Sequence, residues 1–294
     1  MDKTIQQLYK KCNMPEPLLI GKKPQYKIYD EEKAVKVKLQ SYTQNAYEII
    51  FDAALSSFGH KLKKRNKKIT KKEMLHVVEE VLKGHMLPNI LEGVVFTFYI
   101  EGISKIVHNQ LVRHRYGFAF ASVTSGNFSQ RNTPHVCPPS IMKSRFFRRY
   151  KDNLEHCMEL YCQLEDAGLP LEDIRNVLPM SITNQTIMSV NYRSLRAMIA
   201  SRWCEPSQPL AWGPLCAQLK AEVTKVYPIL GKYLRRGCDV VGVCKYPLDA
   251  NWSIYNQFAP CGRWDNDMCN KHNTPFLYEE HVRHARKMSN TRYE

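Results

Sequence analysis

Residues 94–100 alternate, with Val94, Phe96, Phe98 and Ile100 at every second position, which predicts a strand with that side in the core. Glu101-Gly102 breaks the alternation, and Ile103, Val107 and Leu111 then stand four apart. That spacing predicts a helix from Ser104, with Gln110, Arg113 and His114 near its C-terminal end. Val35 to Leu39 alternates valine and lysine as a strand. Ala46 to Ser57 reads as a helix turning Ile49, Ile50, Ala53 and Ala54 inward. Thr70 and Glu73 have the spacing of a capping box, opening a helix to about Leu82 that Gly84-His85 closes. Further on, helices are expected over Lys143 to Leu164, over Asn191 to Cys204 with Leu195, Met198 and Ile199 inward, and over Ala217 to Leu234. Thr133 to Pro139 reads as a proline-marked linker, and residues 1–34, polar and lysine-rich, as an extended arm.

Composition narrows the class. A chain of 294 residues with 44% hydrophobic positions can bury a sizeable core and is globular. No apolar run is long enough to cross a bilayer, and Met1-Asp2-Lys3 opens no signal-peptide core, so a soluble cytoplasmic protein is expected. The net charge of +15 favours anionic partners: phosphorylated cofactors, nucleotides or nucleic acid. The densest basic run, Lys61 to Lys68, has no interleaved aromatic residue for stacking on bases, and reads as a solvated loop more readily than as a nucleic-acid patch. The ten cysteines fit a reduced compartment. Cys238, Cys244, Cys261 and Cys269, with His272 nearby, lack the two-residue knuckles of structural zinc sites, and no metal site is assigned.

The run FTF-x-IEG-x-S over 96–104, then Gln110-Leu-Val-Arg113-His114-Arg115, then Ser129-x-Arg131, resembles the signature of the flavin-dependent thymidylate synthases. VKLQSYTQN followed by a small-residue helix is similar to the start of that family's domain. Arg175 before Val-Leu-Pro, Asn191-x-Arg193-Ser-Leu, Arg202 and Gln208 are similar to its second block. Without the resemblance the basic triplet would read as complementing a helix C-terminus, and the arginines of the Asn191 helix as solvated. The resemblance implies an α+β fold, a mixed α/β arrangement with an antiparallel sheet core and long helices. No glycine-rich dinucleotide fingerprint occurs, so a Rossmann domain is not expected. The domain organisation expected is an arm over 1–34, the family domain over 35–235, and a cysteine-containing C-terminal extension over 236–294.

The family methylates dUMP with FAD, using methylenetetrahydrofolate and NADPH as cosubstrates, in a homotetramer with active sites between subunits. Carried over by motif, Ser57, His85, Arg113, His114, Arg115, Asn191 and Arg193 would contact the flavin. Gln110, Ser129, Arg131, Arg175 and Arg202 would hold the nucleotide, with Ser129 and Arg202 catalytic. The sequence departs from the pattern in four ways: Gly93 stands where a second histidine is expected, thirteen residues separate Arg115 from Ser129 in a longer active-site loop, no glutamate occurs between Arg115 and Arg131, and Ala197 replaces a polar side chain. Those departures keep open a paralogue acting on another pyrimidine deoxynucleotide such as dCMP, or transferring a hydroxymethyl group. A non-catalytic nucleic-acid-binding protein on the same fold is a third reading. Uracil methylation needs a hydride that no side chain supplies, and the motif blocks hold no cysteine flanked for thiolate attack on the ring, which agrees with a flavin route.

Overall fold

In the computed structural model, residues 24–59, 69–203 and 211–241 are described. The Lys61 to Lys68 run, Gln208 and the cysteine-bearing tail from Cys244 lie outside them. The strands among the described residues are β1 (Ile28–Asp30), β2 (Lys36–Tyr42), β3 (Val95–Ser104), β4 (Phe118–Ser122), β5 (His135–Cys137) and β6 (Thr183–Asn191). The helices are α1 (Glu31–Ala34), α2 (Ala46–Ser57), α3 (Lys71–Lys83), α4 (Lys105–Leu111), α5 (Pro139–Met142), α6 (Phe147–Asp166), α7 (Leu171–Ile174), α8 (Tyr192–Arg202), α9 (Trp212–Val226), α10 (Pro228–Lys232) and α11 (Gly237–Val241), with 3-10 turns at Pro88–Gly93 and Arg175–Val177.

The centre is an antiparallel sheet in the order β2-β3-β6-β4. Phe96, Phe98 and Ile100 of β3, with Met188 and Val190 of β6, lie on one buried face, packed with residues of α2, α3, α4, α8 and α9. The period-two reading of 94–100 is therefore correct, but the strand does not stop at Glu101-Gly102. It bulges there and runs on to Ser104, whose side chain caps α4 by accepting from Val107 N. Gly102 sits at φ +76°, and a Cβ on it would fall 1.9 Å from the Ala34 carbonyl oxygen. Only glycine lets β3 pass that close to the end of α1.

Several elements depart from expectation. Five of the thirteen residues between Arg115 and Ser129 form β4, an edge strand on β6 with Phe118 and Phe120 stacked at 5.7 Å, and the rest of the segment is loop. Ser122 Oγ at its end lies 2.9 Å from His108 Nε2 and 2.8 Å from Thr186 Oγ1, tying β4 to α4 and β6. Burial holds His108 neutral, its pKa lowered to about 4. The proline-marked segment 133–139 contains β5, fully buried and paired in parallel with β1, so residues 28–34 of the expected arm are folded against the domain. The basic helix begins at Phe147, after the short α5 and a break. The last long helix ends at Val226, because Pro228 has no N–H to continue the ladder and starts α10 instead. The capping box at Thr70 and the left-handed Gly84 bound α3 as expected.

Gly102→Ala is expected to destabilise the fold by about 2 kcal/mol or more, from a positive φ combined with a backbone clash. The midpoint of denaturant unfolding measures it; an unchanged midpoint would contradict the close approach.

Candidate active site

α4 and α8 leave opposite ends of the β3–β6 ladder, and their C-terminal ends meet. Arg202 Nε donates to His114 Nε2 at 3.1 Å, while the Arg202 guanidinium lies 5.3 Å over the Trp212 ring. Trp212 Nε1 in turn donates to Gln110 Oε1 at 2.7 Å, and its ring meets His114 edge-on. The structure thus brings Gln110, His114 and Arg202 together around Trp212, a buried residue that motif reading missed. A buried indole N–H needs an acceptor, but nothing in the sequence says that the acceptor lies 102 positions earlier. A guanidinium can only donate, so His114 Nε2 is an acceptor and its ring is neutral, with the proton on Nδ1. Desolvation, and then the Arg202 charge, hold the His114 pKa below its ordinary value.

Arg113 and Arg115, on either side, are exposed, and their side chains form no hydrogen bond or ion pair among the described residues. Gly117, at φ +71°, brings the chain from the triplet against α8: its carbonyl accepts from Asn191 N, and a Cβ there would fall 2.2 Å from Asn191 Nδ2. Asn191 itself caps α8, accepting from Ser194 N at 2.8 Å. Arg193 pairs with Glu92, another residue the motifs did not mark. Ala197 is exposed.

Beside Glu92 a surface groove of about 460 Å³ is lined by Ile49, Ala53, Ser56, Ser57, Leu87, Asn89, Ile90 and Gly93. Ser57 Oγ donates to Ala54 O at 2.6 Å and keeps acceptor capacity. His85 lies at the end of α3, exposed, its Nδ1 2.6 Å from Glu80 Oε2, and does not line the groove. Gly93, in the place of an expected histidine, leaves the wall open. Apolar walls with two hydroxyls and an amide suit a ring system such as that of a flavin. The guanidinium forks of Arg113 and Arg115 have the chemistry for phosphate but are not part of this lining.

Ser129 and Arg131 are placed elsewhere. Both are buried, and the Arg131 guanidinium is engaged by Glu165, Asp166 and the Cys162 carbonyl of α6. Gln130 N donates to Tyr161 Oη at 3.1 Å. In the described chain Arg131 acts as a strap fastening this segment to α6, and is not presented to a phosphate. Ser129 Oγ accepts from Arg131 N at 3.4 Å. Arg175 is exposed and pairs with Glu172, which also packs against Gly126.

A family model described as thymidylate synthase complementing protein matches residues 38–229. Flavin-dependent thymidylate synthases from Sulfurisphaera tokodaii and Pyrococcus abyssi are each 31% identical, over 219 and 225 residues, covering 70% and 71% of this chain and 80% and 89% of theirs. The chain belongs to the flavin-dependent thymidylate synthase family. Its fold is shared with a UMP/dUMP methylase, PolB from Streptomyces cacaoi, solved with 5-Br dUMP: TM-score 0.59 at 16% identity, over 70% of this chain and 96% of that one. The matched residues include Gln110, His114, Arg202 and Trp212, so the cluster around Trp212 lies inside the family domain.

His114 is expected to titrate below the ordinary histidine value, and Arg202→Gln should raise its pKa by removing the adjacent cation. A ring-nitrogen NMR titration checks both; protonation at or above the ordinary histidine value in the unsubstituted protein would contradict the donor–acceptor assignment.

Proposed function

We propose that the chain is the enzyme that methylates dUMP to dTMP, with FAD as cofactor, methylenetetrahydrofolate as carbon donor and NADPH as reductant. The observation that supports this most is the convergence of Gln110, His114 and Arg202 at the meeting point of α4 and α8. Arg202 and the Gln110 amide polarise the pyrimidine carbonyls, and charge-assisted donors fixed in a partly dry site act most strongly where charge develops on the ring. Arg175, exposed and paired only at the surface with Glu172, serves the nucleotide phosphate. Ser57, Arg113, Arg115, Asn191 and Arg193 hold the flavin across the groove beside Glu92, with His85 at its approach. Bound flavin supplies the hydride that no side chain can. Thiolate addition to the ring is disfavoured for the described cysteines that are buried: burial pushes Cys137, Cys162 and Cys216 up and keeps them as thiols. The enzyme works as a homotetramer in the cytoplasm. No helix among the described residues is long and apolar enough to cross a membrane.

Mass spectrometry of products from dUMP and from dCMP, each with FAD, methylenetetrahydrofolate and NADPH, tests the reading. Formation of dTMP is expected, and Arg202→Ala should lower kcat/KM by about 100-fold or more with the fold retained. Turnover of dCMP alone, or near-normal kinetics in Arg202→Ala, would contradict it.

A further inference from the structure

Trp212 takes no part in the proposed chemistry, yet it determines how Gln110 is oriented. The indole Nε1 is a donor only, so the Gln110 atom 2.7 Å away must be its carbonyl oxygen. Rotating the amide by half a turn would set an NH2 group against the indole N–H, two donors facing each other. Trp212 is 1% exposed, so water cannot take over as acceptor. The orientation of the Gln110 amide is therefore fixed: its oxygen is held on the indole N–H, and its Nε2 hydrogens are turned to the opposite side, where a ligand would meet a donor.

A uracil ring carries an acceptor at its 4-position, the carbonyl oxygen; a cytosine ring carries a donor there, the exocyclic amine. We propose that Trp212 is the specificity-determining residue of the site, a positioning residue that, by holding the Gln110 carbonyl, makes the site accept 4-keto pyrimidine nucleotides and reject 4-amino ones. The inference rests on the methylation reading above, in which Gln110 faces the pyrimidine. It goes beyond it by assigning the choice of base to a hydrogen bond made behind the substrate. A buried donor left facing a donor costs about a tenfold to hundredfold in discrimination.

The test is calorimetric binding of dUMP and of dCMP to the FAD-loaded full chain and to two variants. Wild type should bind dUMP more tightly than dCMP. Trp212→Phe keeps an aromatic ring under Arg202 but releases the Gln110 carbonyl, so the ratio of the two affinities should shrink by about tenfold or more. Gln110→Glu leaves the tryptophan and the core intact; one carboxylate oxygen accepts from Trp212, the other turns an acceptor toward the base, and the preference should move toward dCMP. A folded Trp212→Phe with the wild-type ratio overturns the inference while dUMP binding by wild type leaves the methylation reading standing. So does Gln110→Glu with undiminished preference for dUMP. Wild type that binds neither nucleotide overturns the methylation reading and this inference together.

Discussion

The antiparallel ladder between β3 and β6 is the constraint on which the remainder of the molecule depends. Its nine paired positions, from Val95 opposite Asn191 to Ser104 opposite Thr183, bury Phe96, Phe98, Ile100, Met188 and Val190 on one face and fix where two helices begin. Ser104 caps α4 at one end, Asn191 caps α8 at the other, and the helices return across the sheet until His114 and Arg202 touch. A slip of one residue would turn Phe96 and Phe98 to the outer face and carry both helix starts with it. The register of the sheet is thus also the geometry of the site.

Within that frame the basic residues divide by their surroundings. Arg131 is enclosed by carboxylates and a carbonyl, so it contributes rigidity; removing it would strand Glu165, which is itself buried. Arg193 and Arg175 are paired at the surface with Glu92 and Glu172, in contacts that salt and ligands can readily exchange. Arg113 and Arg115 are exposed without such partners, the state expected of side chains that meet an anion arriving from outside. Arg202 is stacked on an aromatic ring and hydrogen-bonded through Nε, which orients its planar group.

The sheet face, the capping box at Thr70 and the inward side of α8 were legible in the sequence because each rests on a local period or a local spacing. The identity of the family was legible because the ordered blocks around Arg113 and Arg202 are specific. Contacts between distant positions were not. β4 carries a two-residue alternation in Phe118-Ala-Phe120-Ala, yet in the resemblance those residues counted only as added loop length. The burial of Arg131 depends on Glu165 and Asp166, 34 and 35 positions on, and the orientation of Gln110 on Trp212. A motif places residues in order along the chain but does not say which of them the fold occupies with its own partners.

Flavin-dependent methylation of dUMP is tested most directly by the visible absorption spectrum of the purified protein with FAD, taken anaerobically through reduction by NADPH and then on adding dUMP and methylenetetrahydrofolate. The expected result is bound flavin that NADPH bleaches and that regains its absorbance only when both substrates are present. Flavin that fails to bind, or that binds, is reduced and is indifferent to dUMP with methylenetetrahydrofolate, would contradict it.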